Sequence, residues 1–113
     1  MPVKATASNT GYSAKKLKPI IDMVRGMSVE EALKVLQFLP SPMAAQVAKV
    51  IRSAAANAEN ELLARTSDLR IVEAFANEAP RTKRSRARAR GRVARITRRS
   101  SHVTVVVDEE EAA

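Results

Sequence analysis

Cysteine is absent from the 113 residues, and histidine occurs once, as His102. Disulfides and thiolate metal sites are thereby excluded, and a zinc centre of ordinary type has no ligand set. A cysteine-free chain also fits a reducing compartment. Aromatic residues stop at Tyr12, Phe38 and Phe75. Glycine is equally sparse, and Gly11, Gly26 and Gly91 stand too far apart to form a phosphate-cradling loop. There is no Gly-x-Ser-x-Gly elbow, and any catalytic triad would have to use His102 as its base. These absences point away from an enzyme, a metal site and a cofactor. No stretch approaches the roughly 18 to 20 apolar residues needed to cross a bilayer. Residues 1–10 are polar and lack the apolar centre of a secretory signal, so the chain is expected to stay in the cytoplasm.

Carboxylates are missing from one long stretch, and that local absence matters more than the net charge of +8. From Ala79 through Val107 there is no Asp or Glu. Within it, residues 81–99 hold ten of the chain's twenty basic residues. The other ten face twelve acidic residues, which leaves everything outside 81–99 at −2. A nearly neutral body carries one strongly cationic limb, a distribution that marks a polyanion partner. The apolar share of 45% comes mostly from Ala, Val, Ile and Leu and is enough for a folded core. The length corresponds to one domain, expected to span 1–113.

Periodicity divides that domain into elements. Val3, Ala5 and Ala7 alternate with Lys4, Thr6 and Ser8, which predicts a short strand over 2–8. A first helix is predicted from near Ser13 to Arg25, with Leu17, Ile20, Ile21 and Val24 on one face and Gly26 as its stop. Pro19 conflicts with this, and predicts either a kink or a later start. Ser28 and Glu31 form a Ser-x-x-Glu start for a second helix, whose apolar stripe is Ala32, Val35, Leu36 and Leu39. Pro40-Ser41-Pro42 then restarts the chain, with a third helix predicted from Pro42 to about Leu63. Its small-residue run, Ser53 to Ala58, suits close approach of another backbone. Beyond residue 68 the period changes to two. Leu69, Ile71 and Phe75 alternate with Arg70, Val72 and Ala74, and 102–107 is rich in β-branched residues. If these two strands pair antiparallel, residues 78–99 return on themselves as an extended basic hairpin. With about eleven residues per arm at about 3.3 Å each, it would reach roughly 30 Å. Residues 108–113 form an acidic tail.

Arginine outnumbers lysine nine to one within 81–99. The guanidinium fork binds phosphate in bidentate fashion and stacks on bases, which an ammonium cannot do. Arg84, Arg86, Arg88, Arg90 and Arg92 occupy alternate positions, so an extended backbone would turn all five to one face. Arg81, Lys83, Arg95, Arg98 and Arg99 complete the expected contacts of the limb. His102, at the limb's base, suits a structural or RNA-contacting role better than catalysis. A solvated basic segment, or a nuclear-localisation patch, remains the plainer alternative for the same charge. A DNA-binding protein would share the charge, but no predicted helix carries the basic residues that read a major groove. An RNA-modifying enzyme would need an acid–base pair that is missing, and a membrane-active segment would need apolar residues in the limb.

Several stretches, taken in order, resemble the bacterial large-subunit ribosomal protein family numbered twenty-two. They are Ser13-Ala14-Lys15-Lys16, Val24-Arg25-Gly26, Val29 to Leu33, Ser53 to Asn60, Lys83-Arg84, Arg88 to Arg92, and Ser101 to Val107. The resemblance implies an α+β fold, three helices packed on a small antiparallel sheet with a long protruding basic β-hairpin. It implies binding to several domains of large-subunit ribosomal RNA, contacts with neighbouring ribosomal proteins, and a part in subunit assembly. The hairpin tip is expected to line the peptide exit tunnel beside the nascent polypeptide. Carried over, the tip comprises Thr82, Lys83, Arg84, Arg88, Ala89, Arg90 and Gly91, and the Lys83-Arg84 pair matches residues linked in the family to macrolide resistance. Body residues Lys15, Lys16, Lys18 and Arg25 join the expected RNA contacts, and no homo-oligomer is expected. Departures from the family pattern are Ala79 where Gly is frequent, Ala87 where Pro is frequent, and Thr82 where some relatives have Met. All three bear on the conformation of the tip.

Overall fold

Three serines start the three helices. In the computed structural model, which describes residues 2–8, 10–63, 65, 68–80, 82–87, 89–91 and 93–109, helix α1 runs Ala14–Val24, α2 Val29–Gln37 and α3 Pro42–Leu62. Ser13, Ser28 and Ser41 are their N-caps, and each hydroxyl accepts a backbone N–H in the first turn, from Lys16, Glu31 and Met43 respectively. Such caps satisfy donors that have no partner inside the helix, each contributing about 1 kcal/mol. Helix α1 starts at its cap and passes through Pro19, so the later start is not adopted. The reason is exposure. Pro19 forfeits only the bond to the Lys15 carbonyl, and both residues face solvent, where water can replace it. Gly26 follows the end of α1 at φ +87, and its N–H donates to the Ile71 carbonyl at 3.1 Å. The helix stop is therefore stitched to the sheet.

The strands are β1 (Val3–Ala7), β2 (Leu69–Glu78), β3 (Thr82–Ala87), β4 (Val93–Arg98) and β5 (Ser101–Glu109). Antiparallel β1, β5 and β2 make one sheet with β5 in the centre, while β3 and β4 make a separate pair. In β5 the odd residues, Ser101 to Val107, are buried and the even ones are half-buried. Val3, Ala5 and Ala7 of β1 pair with Val107, Val105 and Val103, so both strands present their apolar set to one face. Helix α1 packs on β2, α3 on β1 and β5, and α2 on α3. Ala54, Ala55 and Ala58 are the buried members of the small-residue run in α3. Leu17, Ile21, Ile51, Leu69 and Ile71 are the largest fully buried side chains, each worth about 1.5 to 3 kcal/mol in burial. No helix among the described residues is long and apolar enough to cross a membrane.

One expected face assignment is reversed. Leu69 and Ile71 are buried, but Ala74 is buried beyond them and Phe75 is 37% exposed. The cause is a bulge between Ile71 and Glu73, where the register to β5 shifts by a residue. Unbroken alternation would have driven Glu73 into the core without a partner, and the extra residue avoids that cost.

The molecule measures 67 × 26 × 18 Å, with a radius of gyration of 17.3 Å. A compact chain of this length has a radius near 13 Å, so the excess belongs to the protruding hairpin.

Candidate nucleic-acid interface

The cationic limb grows out of a polar knot. Ser101 opens β5 and is fully buried, the one buried polar residue among those described. Its hydroxyl donates to the Tyr12 carbonyl at 2.8 Å. The Thr10 hydroxyl lies 3.1 Å from Ser101 Oγ, and with the Ser101 proton committed to Tyr12, Thr10 is the donor of that pair. Thr10 N–H donates to the Ser101 carbonyl at 3.0 Å, Gly11 N–H to Ser100 Oγ at 3.0 Å, and Ala79 N–H to the Ser100 carbonyl at 3.0 Å. The loop ahead of α1 is thus tied to the returning arm at Ser100 and Ser101, and that arm is bonded in turn to the outgoing one at Ala79.

Beyond this root, β3 and β4 pair with Thr82 opposite Arg98, Lys83 opposite Thr97, Arg84 opposite Ile96, Ser85 opposite Arg95, Arg86 opposite Ala94, and Ala87 opposite Val93. In these six pairs every cation has a neutral residue directly across from it. Like charges opposite one another destabilise a sheet, and this register keeps them out of the six pairs. A slip of one residue in one direction sets Arg84 against Arg95. A slip in the other sets Arg86 against Arg95 and Lys83 against Arg98. The reversal is a short 3-10 turn, Ala89–Gly91, with Arg90 at φ 62 and Gly91 at φ 71. Two consecutive left-handed residues turn the chain, and glycine supplies the second at no steric cost.

This geometry corrects one expectation. The arginine stripe is not continuous, because the extended backbone of β3 ends at Ala87 and Arg90 lies in the turn. Of the residues expected at the tip, Ala89, Arg90 and Gly91 form the reversal itself. Thr82, Lys83 and Arg84 begin the ladder at its body end. Arg81, Arg88 and Arg92 lie outside the described residues, as do residues 110–113 of the acidic tail.

On the body, Lys15, Lys16 and Lys18 are exposed along α1. Lys15 also lines a small cavity with Glu78, Ala79, Arg99 and Ser100, so the helix start and the hairpin root form one surface. Arg25, exposed as well, also has a structural role. Its Nε and Nη2 donate to the Ala74 carbonyl at 3.1 and 2.7 Å, and Nη1 meets Asp22 Oδ1 at 2.8 Å. The guanidinium clamps the strand just past the bulge, so a residue expected at the RNA surface holds β2 to α1. His102 is half-buried opposite Asn77 in the ladder.

The profile of the family described as "Ribosomal protein L22p/L17e" matches residues 5–108. The chain belongs to that family. It is a family of ribosomal proteins and not of enzymes. Among the relatives, a "Large ribosomal subunit protein uL22" of Dehalococcoides mccartyi is 54% identical over 107 residues, covering 95% of this chain and 98% of the relative. Proteins of the same name from Desulfatibacillum aliphaticivorans and Pediococcus pentosaceus are 50% and 44% identical, covering 96% of this chain and 100% and 92% of the relatives. The family match takes in the helices, the hairpin and its root together. Every position expected to touch RNA, from Lys15 to His102, lies inside it.

Three features of this family member escaped the sequence reading: the Thr10–Ser101 knot, the Arg25 clamp and the outward turn of Phe75. The knot joins residues about ninety positions apart, and nothing local marks it. For Phe75 the signal was available, since Glu73 falls where an unbroken strand would bury it.

Proposed function

We propose that the chain is a structural constituent of the large ribosomal subunit, acting as one domain in the bacterial cytoplasm. It binds several domains of large-subunit ribosomal RNA, contacts neighbouring ribosomal proteins and supports subunit assembly. The turn of its hairpin lines the peptide exit tunnel, beside the nascent polypeptide. The observation that carries this reading is the arginine-rich segment, free of carboxylates from Ala79 to Val107 and built as a two-stranded hairpin on a body of opposite net charge. A two-stranded hairpin is marginal by itself in water, and repulsion among ten cations adds to the cost. Phosphates around it remove that repulsion. Arg81, Lys83, Arg84, Arg86, Arg88, Arg90, Arg92, Arg95, Arg98 and Arg99 supply the limb's contacts, and Lys15, Lys16, Lys18, Arg25 and His102 extend them over the body. The printed names of the relatives, large ribosomal subunit proteins, support the same assignment.

A salt titration of binding to a large-subunit RNA fragment tests it. Neutralising about six phosphates gives a log–log slope of roughly −4 to −5. An affinity that is flat with salt would remove the electrostatic mechanism.

A further inference from the structure

We infer that the groove between α1 and the outer edge of β2 receives one unstacked nucleotide of the bound RNA, an inference that rests on the RNA-binding reading above. The groove has a volume of about 430 Å³ and is lined by Lys15, Lys18, Ile21, Arg25, Phe75 and Ala76, with Ala14 at its end. That is within the roughly 300 to 1,000 Å³ of small-ligand sites and accommodates a single nucleotide.

Its chemistry is divided as a nucleotide's is. Ile21 and Ala76 are apolar, and Phe75, one of three aromatic residues in the chain, borders the groove at 37% exposure. Phe75 is on the surface because of the Ile71/Glu73 bulge, and Arg25 fixes the strand beside it through the Ala74 carbonyl. An aromatic ring exposed by a bulge next to a cationic wall has no role in the core, but it is a stacking face for a base. Lys15 and Lys18, three residues apart on one side of α1, are the cations for a phosphate. No carboxylate lines this groove, and the nearby Asp22 is already paired with Arg25 at 2.8 Å. The strand edge adds a third element. Ile71 exchanges both of its backbone bonds with the 26–27 segment, away from β5, and the Ala74 carbonyl also points outward to Arg25. By the alternation of an antiparallel ladder, the N–H and C=O of Ala76 face the groove as well, one donor and one acceptor for a base edge. Lys15 also lines the small cavity shared with Arg99, so a strand leaving the groove passes directly to the hairpin root.

The test compares the full-length chain with Phe75→Leu, Phe75→Tyr and Lys18→Gln, using a short oligouridine single strand and an RNA duplex as probes. Stacking serves only unpaired bases, whereas phosphate attraction serves both. Phe75→Leu should weaken single-strand binding about tenfold and leave duplex binding unchanged, while Phe75→Tyr retains both. Lys18→Gln should lower the single-strand salt slope by about one contact's worth, near 0.7. An unchanged ratio of single-strand to duplex affinity in Phe75→Leu, with both probes still bound, overturns the groove and leaves the hairpin mechanism standing. Failure of the unmodified chain to bind either probe defeats the RNA reading itself. Displacement of the oligouridine by a polyglutamate peptide as effectively as by unlabelled RNA would assign the groove to an acidic peptide and overturn the proposal.

Discussion

Replacing Ser101 by alanine removes one oxygen from the point where the hairpin joins the body, and its cost follows from the contacts. The side chain is fully buried, so the lost hydroxyl cannot be replaced by water without opening the strand. The 2.8 Å bond to the Tyr12 carbonyl disappears, and the Thr10 hydroxyl loses the acceptor 3.1 Å away. A net hydrogen bond is worth about 1 kcal/mol, and stranding its partly buried partners adds about as much again, which gives roughly 2 kcal/mol. In urea, with a slope of about 2 kcal/mol per molar, the unfolding midpoint should fall by about 1 M at unchanged slope. Ser100→Ala is the internal control. Its hydroxyl accepts from Gly11 N–H in an exposed bond, so water substitutes and the shift stays within about 0.5 kcal/mol. A double-mutant cycle of Ser101→Ala with Thr10→Val should show a coupling of about 1 kcal/mol, because the two hydroxyls share one network. Equal midpoints for Ser100→Ala and Ser101→Ala, or strictly additive effects in the cycle, would refute the claim that the knot holds the hairpin root.

Leu17→Ala should cost about 3 kcal/mol in thermal or urea unfolding, since the side chain is fully buried between α1 and the sheet; a cost below about 1 kcal/mol would contradict that packing. Excising residues 81–99 and joining Pro80 to Ser100 through Asn-Gly should abolish most nonspecific RNA affinity while far-UV circular dichroism keeps its helical amplitude. Loss of the helices would show that the body depends on the hairpin. Ala94→Glu places a carboxylate opposite Arg86, which should stabilise the β3–β4 pair by about 0.2 to 1 kcal/mol yet weaken RNA binding; tighter RNA binding in this variant would argue against a phosphate partner.

How far the sequence could be read depended on how local each determinant was. The helix starts were legible because a capping serine acts within its own turn, and Ser13, Ser28 and Ser41 all perform that role. Strands β1 and β5 were legible because their alternation matches an uninterrupted ladder. In β2 the same rule failed after Ile71, since a bulge changes phase without altering composition, and only the unfavourable burial of Glu73 betrays it. At Pro19 the later helix start was not adopted, because an exposed lost hydrogen bond costs less than a buried one. At the candidate interface the charge block was legible from composition alone. The extent of the turn was not, because it is set by where Arg90 and Gly91 adopt positive φ and by the pairing of Thr82 with Arg98. Arg25 shows the limit most clearly: nothing local marks its bonds to a carbonyl forty-nine residues away.

The register of the hairpin connects these levels. A strand pair built to be stable alone would set acidic residues opposite its arginines, and this segment contains none. It sets Thr, Ser, Ala and Ile opposite its cations instead. Within the six described pairs, either one-residue slip would set cation against cation, so this register avoids those contacts with no carboxylate on either arm. In the proposed function, that charge is what a phosphate backbone would meet. Stability and function are therefore assigned to different parts of the chain. The apolar sheet, the serine caps and the Ser101 knot fix where the limb begins, and the limb keeps its charge for a partner. If the proposed RNA binding holds, adding carboxylates to the limb should stabilise the isolated protein at the expense of its affinity, which gives the absence of Asp and Glu from 79 to 107 a physical reason.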